Sequence, residues 1–161
     1  MSTLSCTAEP DVAVARAAQL FDDGADDAGE AFATCLLVVL RPSGGAITYV
    51  NAGHPPAFLI GPDSSVAELS PTGPLVSSFG GPWRNGYARV QHGGALLVYT
   101  DGLTEARDAA GEQFGERRLL ETALVTSGGA REVVDACVRA ARVFSPTAPV
   151  DDLTCLALTR D

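Results

Sequence analysis

The apolar positions near the start of the chain predict a helix and then a strand pair. Residues 11–21 are Ala-rich, with apolar side chains at helical spacing after Pro10, and predict a short helix. The acidic stretch 22–30 predicts a solvated loop, because its charges cannot be buried unpaired. The apolar run Phe32–Leu40, a Pro/Gly turn and a β-branched run ending at Asn51 then predict an antiparallel hairpin. Since the first strand is apolar on both faces, we expect it to lie centrally in its sheet.

The remaining pattern predicts further strands and two late helices. Ala57–Ile60 reads as a third strand of the same meander, and the segments 87–91 and 95–99 flank a second hairpin turn at His92-Gly93-Gly94. Apolar residues recur at helical spacing in 116–126 and in 130–144, and an apolar strand at 154–159 ends the chain. This order predicts an α+β layered domain and not a βαβ repeat.

Composition and charge narrow the classes of function. The chain has 161 residues and a net charge of −9, and all 11 of its basic residues are Arg. Nucleic acid and anionic membranes are therefore not expected as partners. No apolar stretch is long enough to span a bilayer, so a cytoplasmic protein is expected. The four cysteines are far apart in the sequence and are predicted to be reduced, and Cys35 and Cys155, which lie in apolar runs, are predicted to be small buried hydrophobes.

Acidic residues flank two apolar strands. Asp101 directly follows the strand 95–99 and its neighbour Thr100, while Asp151 and Asp152 lead into the final strand. If the two strands are neighbours, these carboxylates converge, and a hard divalent cation between them would relieve their repulsion. The alternative is that the same residues only cap turns, as Asp commonly does. Spacing alone favours this alternative.

Four motifs support the metal interpretation. They are YVNAGHPP at 49–56, YTDGLTEA at 99–106, FGERRL at 114–119 and DDLT at 151–154. In this order they resemble PPM-type metal-dependent serine/threonine phosphatases of the bacterial branch typified by the stage II sporulation phosphatase and the stress-response sigma-factor regulators. Each motif is weak alone, but the four together cover about residues 32–159 and are specific.

The resemblance implies a fold, cofactors and a reaction. The fold would be a PPM-type layered antiparallel β-sandwich flanked by helices, incomplete because it lacks its N-terminal strands. Mn²⁺ or Mg²⁺ would hold a hydroxide that attacks phosphoserine or phosphothreonine directly. By position, Asp101 and Asp151 match metal ligands of the family, and Asp152 is a weaker candidate. Gly102, Thr104 and Glu105 are expected to support the Asp101 loop.

The YVNAGHPP segment is expected to be structural. In the family this segment forms a corner beside the core, so Asn51 and His54 are predicted to hold a turn. The alternative for His54 is a general acid toward the leaving serine oxygen. The structural role is favoured because His between Gly and Pro more often anchors a turn through its ring nitrogens.

One part of the family pattern is missing from the sequence. Residues 1–31 predict only a helix and an acidic loop, whereas residues 32–161 resemble the C-terminal portion of a phosphatase domain. Nothing in 1–31 resembles the upstream segments that supply the bridging metal ligand. Two functions therefore stay open: a protein phosphatase, acting for example on a phosphorylated anti-sigma-factor antagonist, or a catalytically incompetent module that signals by binding proteins. Exposed sheet edges would also favour a homodimer or a complementing second chain.

Overall fold

The computed structural model describes residues 9–22, 32–146 and 152–161. In these ranges, one helix is followed by eight strands, three helices and a final strand, which is the α+β order predicted. The helices are α1 (Pro10–Asp22), α2 (Asp101–Thr104), α3 (Gly115–Val125) and α4 (Ala130–Phe144). The strands are β1 (Phe32–Ala33), β2 (Cys35–Arg41), β3 (Ala46–Ala52), β4 (Ala57–Ile60), β5 (Val66–Leu69), β6 (Val76–Ser77), β7 (Gly86–Arg89), β8 (Ala95–Tyr99) and β9 (Cys155–Thr159).

The chain divides into two compact units. The first comprises Met1–His54 and Leu69–Arg89, and the second comprises Pro55–Glu68 and Val90–Asp161. This grouping follows contacts in space and cuts across the chain order. The predicted sequence boundary at residues 31 and 32 stays a prediction.

The first unit is built on the hairpin of β2 and β3. The two strands pair antiparallel from Cys35 opposite Ala52 to Arg41 opposite Ala46, and β7 pairs with the other edge of β3. Helix α1 packs on this sheet, because Val14 and Ala18 on one of its faces are buried in a core shared with β3. The predicted N-terminal helix and first hairpin are therefore confirmed.

The position predicted for the first strand is wrong. In the described part of the chain, β2 lies at the edge of the three-stranded sheet and β3 lies in its centre. The residues Cys35–Leu40 are all half-buried, which agrees with an apolar pattern on both faces. Burial of the faces is set by side chains, whereas a central position requires hydrogen-bonding partners on both edges. The apolar pattern of a strand therefore does not show whether both of its edges have hydrogen-bonding partners.

The second unit is a four-stranded sheet covered by two helices. Its strand order is β5-β4-β8-β9, and β8 pairs antiparallel with both β4 and β9. Helices α3 and α4 bury their apolar faces against one side of this sheet, around the fully buried Leu97, Leu119 and Cys137. The two predicted C-terminal helices and the final strand are confirmed. The core fixes β8 and β9 as direct neighbours.

Two further predicted pairings are wrong. The strand β4 pairs with β8 and not with the β2–β3 hairpin, and β7 and β8 belong to different sheets. The turn at Gly93-Gly94 is real, since Gly94 N–H donates to the Gln91 carbonyl at 3.0 Å. However, Gly93 N–H donates to the carbonyl of Arg160, at the end of β9, over 2.7 Å. A local turn signal therefore marks where the chain reverses but does not select the strand partner.

None of the helices in the described residues has both the length and the apolar character needed to cross a bilayer.

Candidate metal centre

The pairing of β8 with β9 brings the two acidic segments to one end of the second sheet. Tyr99, the last residue of β8, lies opposite Cys155, the first residue of β9. Beyond this pair, Thr100 N–H donates to the Thr154 carbonyl at 3.0 Å, so the ladder continues toward the acids. The strands are thus neighbours, which is the condition for Asp101 and Asp152 to converge. Asp151 lies outside the described residues.

The Thr100 hydroxyl bridges the two acidic segments. Its Oγ1 donates to the main-chain carbonyl of Asp152 at 2.9 Å and accepts the N–H of Thr154 at 2.9 Å. Because Thr100 directly precedes Asp101, its side chain holds the backbone of Asp152 and Thr154 close to the Asp101 turn. Sequence reasoning missed this bridge, because both partners of the Thr100 hydroxyl are main-chain groups.

Asp101 begins the short helix α2 and points its carboxylate to solvent. Its Oδ1 accepts the Gly102 N–H at 2.9 Å, which is the local turn bond expected from the alternative interpretation. Its main-chain carbonyl accepts the Glu105 N–H at 2.7 Å and the Thr104 hydroxyl at 3.3 Å. The buried Leu103 anchors this turn in the core. The backbone of Asp101 is thus held firmly while its side chain stays exposed.

Tyr99 connects the YTDG and FGERRL motifs. Its ring is buried and stacks on Phe58 with 5.8 Å between ring centroids. Its hydroxyl donates to Glu116 Oε1 at 2.7 Å, at the start of α3. Burial raises the pKa of Tyr99 well above its usual range, and the bond to Glu116 and the charge of that carboxylate raise it further. The strand that carries Asp101 is therefore anchored to a helix, a link that sequence reasoning did not find.

Asn51 forms a corner in the first unit. Its side chain is fully buried, with Nδ2 donating to the Leu69 carbonyl at 3.2 Å and Oδ1 accepting the His54 N–H at 2.9 Å. Its N–H also donates to Thr72 Oγ1 at 3.1 Å. The amide therefore ties three chain segments together. This arrangement fits the predicted turn role of Asn51, and the role of the half-buried His54 ring stays a prediction.

The donor atoms at the end of β8 are of the type that a hard divalent cation binds, but the described residues supply too few of them. Asp101 and Asp152 offer carboxylate oxygens, the ligands that Mg²⁺ and Mn²⁺ prefer. In the ranges that the structure describes, no group of three or more His, Cys, Asp or Glu residues is placed to hold a metal. An octahedral shell needs about six oxygens. Water or residues outside the described ranges would have to complete it.

The sequence and the fold both resemble known phosphatase domains. The family model for stage II sporulation protein E (SpoIIE) matches residues 2–161. Protein IcfG of Synechocystis sp. is 34% identical over 105 residues, which is 65% of this chain and 17% of IcfG. The PP2C domain of Pseudomonas aeruginosa SiaA superposes with a TM-score of 0.81 at 20% identity, over 95% of this chain and 61% of that one.

A second solved structure gives the same result at lower similarity. The Mn-presoaked phosphatase domain of Bacillus subtilis SpoIIE has a TM-score of 0.64 and 15% identity, over 80% of this chain and 57% of that one. These identities show the fold alone, and the chain spans only part of each of these relatives. The mixed helices and antiparallel sheets nevertheless match the PP2C-type phosphatase fold, as predicted. Together with the model match over residues 2–161, this shows that the chain belongs to the SpoIIE family of PP2C-type phosphatase domains.

Proposed function

We propose that this chain acts in a metal-dependent protein phosphatase that hydrolyses phosphoserine and phosphothreonine. The observation that carries the proposal is the exposed Asp101 carboxylate on a rigid turn, joined through Thr100 to the segment of Asp152. Two carboxylates at one end of the sheet offer a divalent cation part of the oxygen shell that it requires. Family membership supports the reaction class.

Each residue at this end of the sheet has a proposed task. Asp101 and Asp152, together with Asp151, supply carboxylate oxygens to Mn²⁺ or Mg²⁺. A bound cation of this kind lowers the pKa of its water and neutralises phosphoryl oxygens. Gly102 N–H holds Asp101 Oδ1 and thereby orients the carboxylate, and Thr104 and Glu105 hold the peptide behind it. Thr100 sets the distance between the two acidic segments.

The proposed substrate is a phosphorylated protein. The Mn-presoaked SpoIIE domain is described as that of a cell fate determinant, and the motifs resemble the sigma-factor-regulator branch. A phosphorylated anti-sigma-factor antagonist is therefore the specific substrate that we propose. The net charge of −9 makes a basic segment near the phosphorylated residue favourable.

The test measures metal binding and turnover separately. The purified 161-residue chain is titrated with Mn²⁺ by calorimetry and is then assayed for Mn²⁺-dependent phosphate release from a phosphoserine protein. Asp101→Asn removes one charged oxygen but keeps the side-chain oxygen that accepts the Gly102 N–H. Asp135→Asn is the matched control, because Asp135 is exposed on α4 and its ion pair with Arg131 is long, at 3.8 Å.

Three outcomes are informative. Mn²⁺ binding and turnover that both fail in Asp101→Asn and persist in Asp135→Asn support the proposal. Mn²⁺ binding through Asp101 without turnover favours the alternative function, a catalytically incompetent module that acts by binding other proteins. That alternative has a specific basis, since among the described residues no group of three or more His, Cys, Asp or Glu is placed to hold a metal. Equal Mn²⁺ binding by the chain and by Asp101→Asn would contradict the assignment of Asp101.

A further inference from the structure

Two cysteines from distant parts of the sequence meet in the core of the second unit. Cys137 lies on the inner face of α4 and is fully buried, and Cys155 is the half-buried first residue of β9. Both belong to the packing between α4 and the sheet, where Cys155 rests against the cluster that contains Cys137. The Cys137 thiol donates a hydrogen bond to the sulfur of Cys155. Nothing in the metal centre uses this pair.

We propose that Cys137 and Cys155 form a reversible intramolecular disulfide when the chain meets a peroxide. The Cys155 thiolate attacks one oxygen of hydrogen peroxide, so that its sulfur becomes a sulfenic acid and the other oxygen leaves as water after protonation. The sulfur of Cys137 then attacks the sulfenic sulfur, loses its proton and displaces the second oxygen as water. In total, two thiols and one peroxide give one disulfide and two waters.

The environment of the pair favours Cys155 as the first sulfur to react. The hydrogen bond from Cys137 lowers the pKa of Cys155, which increases its thiolate fraction, and Cys155 is also the less buried of the two. The same bond, together with burial, raises the pKa of Cys137. Cys137 is therefore expected to react with the sulfenic acid of Cys155 and not with the peroxide.

Cys35 provides an internal comparison. It lies in the first unit, in β2, and is also half-buried. Burial raises its pKa, and no hydrogen bond from another described thiol offsets this effect. Cys35 is therefore expected to react slowly with peroxide.

The disulfide would act on the segment that carries the acids. It would close a loop over the residues between Cys137 and Cys155, which include Asp151 and Asp152. Cys155 directly follows Thr154, whose N–H is held by Thr100. The bond would thus tie the entrance of β9 to α4, so oxidation is expected to stiffen one side of the candidate metal centre.

The decisive experiment is a peptide map of the wild-type chain. Trypsin cleaves after Arg and releases the four cysteines on four different peptides, with Cys137 in 132–139 and Cys155 in 143–160. The reduced, folded chain is treated with hydrogen peroxide, alkylated and digested. We expect these two peptides to be linked, with the loss of two hydrogen atoms, and to separate again after dithiothreitol. The melting temperature of the oxidised chain is expected to rise by roughly 5–10 °C.

Variants and alternative products complete the test. Cys35→Ser should leave the linked peptide unchanged, whereas Cys155→Ser should abolish it together with the rise in melting temperature. A linkage of Cys155 to Cys6 or Cys35 would overturn the proposal. So would oxidation of Cys155 to a sulfinic acid while Cys137 remains open to alkylation after unfolding. The peptide map needs no substitution in the core, so a variant that fails to fold does not affect the conclusion.

Discussion

The Asn51 corner and the Asp101 turn are two motif segments that use their polar side chains in opposite ways. The Asn51 amide is fully buried, and its oxygen and nitrogen both bond to the protein backbone. The Asp101 carboxylate is exposed, and among the described residues it accepts one hydrogen bond, from its neighbour Gly102. Asn51 lies near the end of the apolar strand β3 and Asp101 lies just beyond the apolar strand β8, and both belong to motifs of the same family. Their sequence context therefore does not distinguish them, but the direction of their hydrogen bonds does.

We expect this difference to separate a structural role, at Asn51, from the metal-binding role proposed for Asp101. A buried amide with every polar atom satisfied contributes to stability and has nothing left for a ligand. An exposed carboxylate on a fixed backbone contributes little to stability and keeps oxygen lone pairs for a cation. Substitutions should therefore change stability at Asn51 and ligand chemistry at Asp101.

The largest effect is expected for Asp101→Asn in the phosphate-release assay. Turnover should fall on the order of 1,000-fold, equal to about 4 kcal/mol of activation free energy, because the cation loses a charged ligand. The free energy of unfolding should change by less than about 0.5 kcal/mol, since Asn keeps the oxygen that accepts the Gly102 N–H. Urea unfolding checks the second number, and a large loss of stability there would erase the proposed contrast with Asn51.

The next effect is expected for Asn51→Ala, in the free energy of unfolding. The change leaves the His54 N–H and the Leu69 carbonyl without their partner in a buried place, and should cost about 2–3 kcal/mol. The free energy of unfolding is measured by urea denaturation, and the wild-type chain and the variant are fitted with a common m-value. Asn51→Asp is the matched variant, because it keeps the acceptor for His54 but loses the donor to Leu69. A cost below about 0.5 kcal/mol for Asn51→Ala would contradict its structural role.

A smaller effect is expected for the bridging hydroxyl of Thr100. Thr100→Val keeps the shape but removes the bonds to the Asp152 carbonyl and the Thr154 N–H. Mn²⁺ affinity should fall roughly 10-fold, as for groups that orient a ligand, with about 1 kcal/mol lost in stability. Thr104→Val is the control, because its single bond to Asp101 is longer, at 3.3 Å. Thr100→Ser should restore the affinity, and equal losses in Thr100→Val and Thr104→Val would argue against a specific bridge.

The smallest effect is expected for Tyr99→Phe. The ring stays stacked on Phe58, and only the bond to Glu116 is lost, which should cost about 1 kcal/mol. Glu116 regains water because it lies at the surface, so the cost stays below that at Asn51. Tyr87→Phe removes a hydroxyl from a side chain that is 76% exposed and should be neutral in the same unfolding experiment. A neutral Tyr99→Phe would show that the two motifs are not coupled through this bond.

The sequence predicts the elements well and their partners less well. Helices α1, α3 and α4 and the first hairpin follow from local periodicities, and their bounds agree with the structure within a few residues, whereas no periodicity predicts the short helix α2. The central position predicted for β2 and the hairpin predicted at Gly93-Gly94 are both wrong. Strand pairing depends on which distant edge offers backbone groups, and the residues near a turn do not encode that edge.

The candidate site likewise contains residues that the sequence locates and contacts that it does not predict. The motifs locate Asp101 and Asp152 beside two strands, and the structure makes those strands neighbours. The bridge by Thr100 could not be predicted with the same rules, because its partners are a main-chain carbonyl and a main-chain N–H. The contact of Cys137 with Cys155 depends likewise on how α4 packs on β9. Contacts of this kind appear only when the fold is known.

The pairing of β8 with β9 also has a consequence for protein engineering. Asp101 lies just after β8 and Asp152 just before β9, and the two are separated in the chain by the exposed turn at Ala109-Ala110-Gly111 and by α3 and α4. A cut in that turn would put one acid on each of two fragments. Because β8 and β9 must pair to bring the acids together, Mn²⁺ binding would then report the reassembly of the fragments. To graft this acidic pair onto another scaffold, β8 and β9 would therefore have to be transferred together.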